Sequence, residues 1–99
     1  MKLGTFTENN GAFTGSIGTL GFRAKIQIVP VDSKPSDLAP DYRIKAGAGE
    51  VGAGWKRPRR YGEGHYISIK LDDASFAAPI YANLVKVGDG DVHILIWSR

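Results

Sequence analysis

The densest chemistry in the sequence is the run Lys56-Arg57-Pro58-Arg59-Arg60-Tyr61, with Trp55 just before it and His65 and Tyr66 just after. Cations neutralise phosphates and aromatic rings stack on bases, each stacked base contributing roughly 1–3 kcal/mol. Residues 41–70 hold seven basic and three acidic side chains, while six of the seven aspartates lie outside that segment. The formal charge is only +3, so the information lies in where the charges fall. Segregated positive charge is the electrostatic footprint of a nucleic-acid binder.

Other constellations carry less. Asp72-Asp73 is a paired carboxylate, the kind of group that can hold Mg²⁺ or act as acid and base. Aspartate also ends strands and caps turns, and nothing fixes a third ligand at Asp89 or Asp91. His65 and His93 have no metal-ligand spacing. His93 alternates with Ile94 and Ile96, which predicts that it faces outward or pairs at an edge. Ser68 and Ser98 lack the strand–turn–helix setting of a nucleophile elbow. Gly47 to Gly54 reads Gly-x-Gly-x-x-Gly-x-Gly, but no helix follows, and a dinucleotide fingerprint needs one. There are no cysteines, which removes thiolate metal sites, cysteine nucleophiles and disulfides. A non-enzymatic binding module without cofactor or metal is the resulting expectation.

The elements that must position these residues read as short strands. Ninety-nine residues suit one domain, 1–99. Between the 13 glycines the hydrophobic period is two, the strand period. The predicted strands are 2–8, 12–20, 22–29, 41–48, 50–56, 65–71, 80–87 and 92–98. Asn9-Asn10-Gly11 is a strong hairpin signal. Val31 to Pro40, rich in proline, is the longest predicted loop. One short helical turn is allowed near 73–77. Seven to eight short strands with glycine turns define an all-β class, a small antiparallel barrel or sandwich, with an OB-like barrel among the options. Val51, Ala53 and Trp55 share one face of their strand, so Trp55 is either a core residue or an exposed ring able to stack.

With the apolar faces inward, Arg23, Lys25, Arg43, Lys45, Lys56 and Lys70 are expected to point outward. Together with Arg57, Arg59 and Arg60 they would contact phosphate, and Trp55, Tyr61 and Tyr66 would stack on bases. The rival expectation is a protein-interaction or dimerisation module using an edge strand or an apolar patch. Tyr81, Val85, Val29 and Trp97 are its candidate residues. Asn83 is expected either to be buried and hydrogen-bonded or to join a stripe with Tyr81 and Val85. No signal-peptide pattern opens the chain, and no apolar run approaches the roughly 20 residues of a membrane-spanning helix. A cytoplasmic location with no membrane partner is expected.

Several stretches are distinctive in combination. They are Leu3-Gly4-Thr5-Phe6-Thr7, Val29-Pro30-Val31-Asp32, Ala39-Pro40-Asp41-Tyr42-Arg43, Gly52-Ala53-Gly54-Trp55-Lys56, Tyr66-Ile67-Ser68-Ile69-Lys70-Leu71-Asp72-Asp73, Pro79-Ile80-Tyr81-Ala82-Asn83-Leu84 and Leu95-Ile96-Trp97-Ser98-Arg99. In this order they resemble the bacterial family catalogued as domain of unknown function 736. The resemblance spans the chain. It implies an association with conjugative plasmids and other mobile elements, and it supplies no catalytic residues.

Overall fold

In the computed structural model all residues are described except Met1, Phe22, Tyr61, Glu63, Ser75, Asp89, Ser98 and Arg99. Eight strands follow one another: β1 (Lys2–Asn9), β2 (Ala12–Gly18), β3 (Arg23–Pro30), β4 (Tyr42–Ala46), β5 (Gly49–Pro58), β6 (His65–Leu71), β7 (Ile80–Lys86) and β8 (Val92–Trp97). Each pairs antiparallel with its neighbour in sequence, and β8 pairs back onto β1. The result is an up-and-down closed barrel, not a two-sheet sandwich and not the five-stranded Greek key of an OB fold.

Closure gives each of the eight strands two strand partners. The first hairpin forms as its sequence demands. Asn10 and Gly11 have φ of 54° and 85°, the left-handed pair that a two-residue turn needs. Among the described residues there is no helix. The segment after β6 makes a single turn, in which the Phe76 N–H donates to the Asp73 carbonyl at 2.9 Å.

The core is the barrel interior. Phe6, Ile28, Ile44, Ile69, Leu71, Leu84 and Leu95 are its largest fully buried side chains. Each contributes about 1.5–3 kcal/mol by leaving water. Period two supplies most of these positions, but β1 breaks it, because Leu3 and Phe6 are both buried at a spacing of three. The register of β1 against β8 shifts between Lys2 and Gly4. That irregularity returns the strand to the inward phase, as a bulge does.

His93 is a correction to the sequence reading. It lies opposite Phe6 and Lys86, faces inward and is 8% exposed. Its ring meets Phe13 edge-on, with centroids 4.8 Å apart, and its Nδ1 lies 3.2 Å from the Asp91 carbonyl. An imidazole can sit in an aromatic core when one nitrogen keeps a polar partner, and alternation cannot say which phase of a strand will be buried. Ile94 and Ile96 consequently face outward. Trp97 is half-buried and packs against the core.

The barrel has two dissimilar ends. One carries the hairpin turn at 10–11, the loop 31–41, the basic loop 59–64 and the turn 87–91. The other carries 19–22, 47–48 and 72–79. Among the described residues no helix is long and apolar enough to cross a membrane.

Candidate nucleic-acid interface

Directly opposed residues in an antiparallel pair project to the same side of the sheet. Across β5 and β6 the inward pairings are Gly52 with Leu71 and Gly54 with Ile69. The alternate pairings are therefore outward: Ala53 with Lys70, Trp55 with Ser68, and Arg57 with Tyr66. The sequence leaves Trp55 open between core and surface and puts Lys56 outside; the structure places Trp55 on the outer face and Lys56 in the other phase. Trp55 stands on the outer wall, half-buried. Lys56 lies opposite Ile67, in the inward phase but exposed at the barrel mouth.

The cause is an irregularity across from β4. Ile44 opposes Gly52, while Lys45 opposes Glu50, leaving Val51 as an extra residue that resets the phase. Glycine suits the inward positions that result. A Cβ on Gly52 would meet the Lys70 carbonyl oxygen at 2.1 Å, and one on Gly54 would meet Ile67 and Ile69 at 3.0 Å.

The outer wall of β5 and β6 thus presents Trp55 and Arg57 beside Tyr66 and Lys70. Arg59 and Arg60 extend this surface from the adjoining loop. With Tyr66, Asn83 and Val85 they line a shallow hollow of about 270 Å³. The loop is closed by the Arg59 N–H donating to the Gly64 carbonyl at 3.0 Å. Asn83 is exposed and stands opposite Ser68, so the stripe Tyr81, Asn83 and Val85 faces outward. Tyr61 lies outside the described residues.

The remaining predicted cations do not join this surface. Arg23 and Lys25 face outward on β3, opposite Gly18 and Ser16. Lys45 lies between Gln27 and Glu50. Arg43 is in line with Ala53 and Lys70, but its Nε donates to Glu50 Oε1 at 2.7 Å. A carboxylate thus covers the one cation that would have linked the two groups. The cationic side of the barrel is therefore divided. One cluster is centred on β5–β6 and carries the aromatic rings, and the other, on β3–β4, carries none on its outward strand positions. In the eight strands the carboxylates are Glu8 and Glu50 alone. The other described acids sit in the connections.

The loop 31–41 braces the wall beside Trp55. Lys34 Nζ donates to Asp41 Oδ1 at 2.9 Å, and Asp41 Oδ2 accepts from the Lys56 N–H at 2.8 Å. The Trp55 Nε1–H donates to the Leu38 carbonyl at 3.1 Å. The Lys34 hydrogen bond, helped by the Lys56 amide, holds the Asp41 carboxyl below its usual 3.8. Burial raises the Tyr42 hydroxyl above its usual 10.0, assisted by the negative charges of Asp41 and Glu8.

A depressed carboxyl stabilises the fold above its unfolded pKa, and that contribution disappears as pH falls through the folded value. We therefore expect the Trp55 indole N–H resonance to move when acid is taken below 3.8. Asp41→Asn should already show the shifted position at neutral pH. An Asp41→Asn protein with an unchanged Trp55 resonance at every pH would refute the brace.

Among the described residues no group of three or more His, Asp or Glu side chains could hold a metal ion. Asp72 and Asp73 are exposed in the connection after β6.

The fold and surface define a class: a small closed meander barrel with a cationic, aromatic outer wall. The model of the family described as protein of unknown function, DUF736, matches residues 2–99, and the chain belongs to that family. Comparison with curated proteins finds no match, and neither does comparison with solved structures.

Proposed function

We propose that this protein is a non-enzymatic nucleic-acid-binding module that takes single strands on the outer wall of β5 and β6. The observation that carries the reading is the surface shared by Trp55, Arg57, Tyr66 and Lys70, with Arg59 and Arg60 beside Tyr66 and no described carboxylate among them. Tyrosine and tryptophan offer π-faces that any base can stack on, and the arginines supply phosphate contacts and cation–π capacity. A convex barrel wall with short side chains at Ala53 and Ser68 gives bases room between the rings. It offers no helix or ribbon to fill a duplex major groove, which favours unpaired bases. A cytoplasmic setting, in chains associated with plasmids and other mobile elements, accords with this reading.

Fluorescence anisotropy with a labelled single-stranded 12-mer, at about 50 mM salt where phosphate contacts are strong, tests it. Saturable binding that weakens with added salt is expected. Absence of binding to single-stranded DNA and RNA under those conditions would end the proposal.

One observation favours a second reading. Tyr81 is 63% exposed, and Val87 and Val92 are 46% and 43% exposed. Val85, Ile94 and Ile96 share the same outer side of β7 and β8. This stripe could seat a second copy of the chain, and light scattering coupled to sizing chromatography would show a dimer if it does.

A further inference from the structure

The two ends of the barrel are filled differently. At one end Phe6, Phe13, Tyr42 and His93 occupy the inward positions, with Phe13 against Tyr42 at 6.0 Å and against His93 at 4.8 Å between ring centroids. At the other end the inward residues of β3 and β4 are Ala24 and Ala46, and Gly52 follows on β5. Small residues there leave a pocket of 240 Å³. Ile17, Ile26 and Leu71, all buried, form its deep part. The half-buried Ala24, Ala46 and Val51 form its walls, and Phe76 leans over the opening from the β6–β7 connection. Two charged residues, Arg23 and Asp73, stand at the mouth.

We infer that this pocket is a binding site for a small neutral molecule: one aromatic ring, or a short branched alkyl group, carrying a hydroxyl or amide head. Eight strands enclose an interior just wide enough to be filled by side chains or to hold one small ligand. An apolar cavity of about 150 Å³ already admits benzene, so this one has room for a ring with a substituent. Apolar walls facing water are unfavourable in proportion to their area, and an apolar occupant relieves that. The rim decides the head group. A guanidinium and a carboxylate at one mouth supply a donor and an acceptor for a hydroxyl or amide, whereas a formal charge of either sign would meet a like charge. The site lies at the barrel end away from loop 59–64, and it does not depend on the nucleic-acid reading.

Benzyl alcohol is the probe, titrated into the ¹⁵N-labelled full chain and followed by amide chemical shifts. Saturable shifts centred on Ala24, Ala46, Val51 and Leu71 are expected, with affinity in the millimolar range. Ala46→Leu should fill the pocket and weaken binding at least about tenfold, the equivalent of 1.4 kcal/mol. Ala24→Leu fills it from the neighbouring strand and serves if the first variant does not fold. No saturable shift in the wild-type chain, or undiminished binding in whichever filled variant folds, would overturn the inference.

Discussion

Gly15→Ala is expected to lower the melting temperature by about 12–24 °C. Gly15 is the middle inward position of β2, opposite Phe6 on β1 and Ile26 on β3. A Cβ there would lie 2.1 Å from the Thr5 carbonyl oxygen and 2.8 and 2.9 Å from Phe6 Cγ and Cα. Two of those atoms are backbone, so no rotamer change relieves the clash; β1 must move off β2 or Phe6 must leave the core. Overpacking of this kind costs about 3 kcal/mol, and each kcal/mol moves the midpoint of a domain this size by about 4–8 °C. Gly18→Ala on the same strand is the control. Its nearest neighbour would be Arg23 Cγ at 3.6 Å, an ordinary contact, and the change should be neutral or gain a few tenths of a kcal/mol by restricting the unfolded chain. Equal melting temperatures for the two variants would show that β1 and β2 do not approach as closely as described.

The second large effect concerns binding. Tyr66→Ala is expected to weaken a single-stranded oligonucleotide roughly 5- to 150-fold, the range of one lost stacking platform. It should leave the dependence on salt unchanged, because no phosphate contact is lost. Arg57→Ala, Arg59→Ala and Arg60→Ala combined should instead flatten the plot of log affinity against log salt by about 2, at about 0.7 per phosphate for single strands. Lys25→Ala supplies the contrast, since β3 lies on the other cationic cluster and beside no outward aromatic. Its effect should be within a factor of about two, a fraction of what one direct contact provides. If Lys25→Ala costs as much as the triple variant, the ligand runs along the wrong wall for this proposal.

Much of the fold was legible because local signals were strong. Asn10-Gly11 specifies its turn through backbone conformation, and His65 to Leu71 alternates cleanly, so both were placed correctly. The number of strands and their all-β class followed from such pieces. Closure was not local: whether β8 finds β1 or lies in a second sheet depends on residues some ninety positions apart, such as Phe6 and His93.

The site was half legible for a related reason. The basic and aromatic composition of 55–70 stands in the sequence, and Tyr66 and Lys70 were assigned to the outer face correctly. The side taken by Trp55 was open in the sequence, because the irregularity opposite Ile44 inverts the phase of β5, and a one-residue slip exchanges the two faces of a strand. Arg43 was expected to point outward, and its ion pair was not legible, although Glu50 lies only seven residues ahead, across a hairpin whose register had to be known first.

The seam between β1 and β8 has a consequence for synthesis. A ribosome emits β1 first and β8 last, so the first strand must wait for nearly the whole cylinder before its second neighbour exists. Until then β1 carries an unpaired row of amides and carbonyls next to Leu3 and Phe6, and a nascent chain in that state is exposed to mispairing. The completed cylinder has no such seam open, and the hazard ends when residues 92–97 arrive.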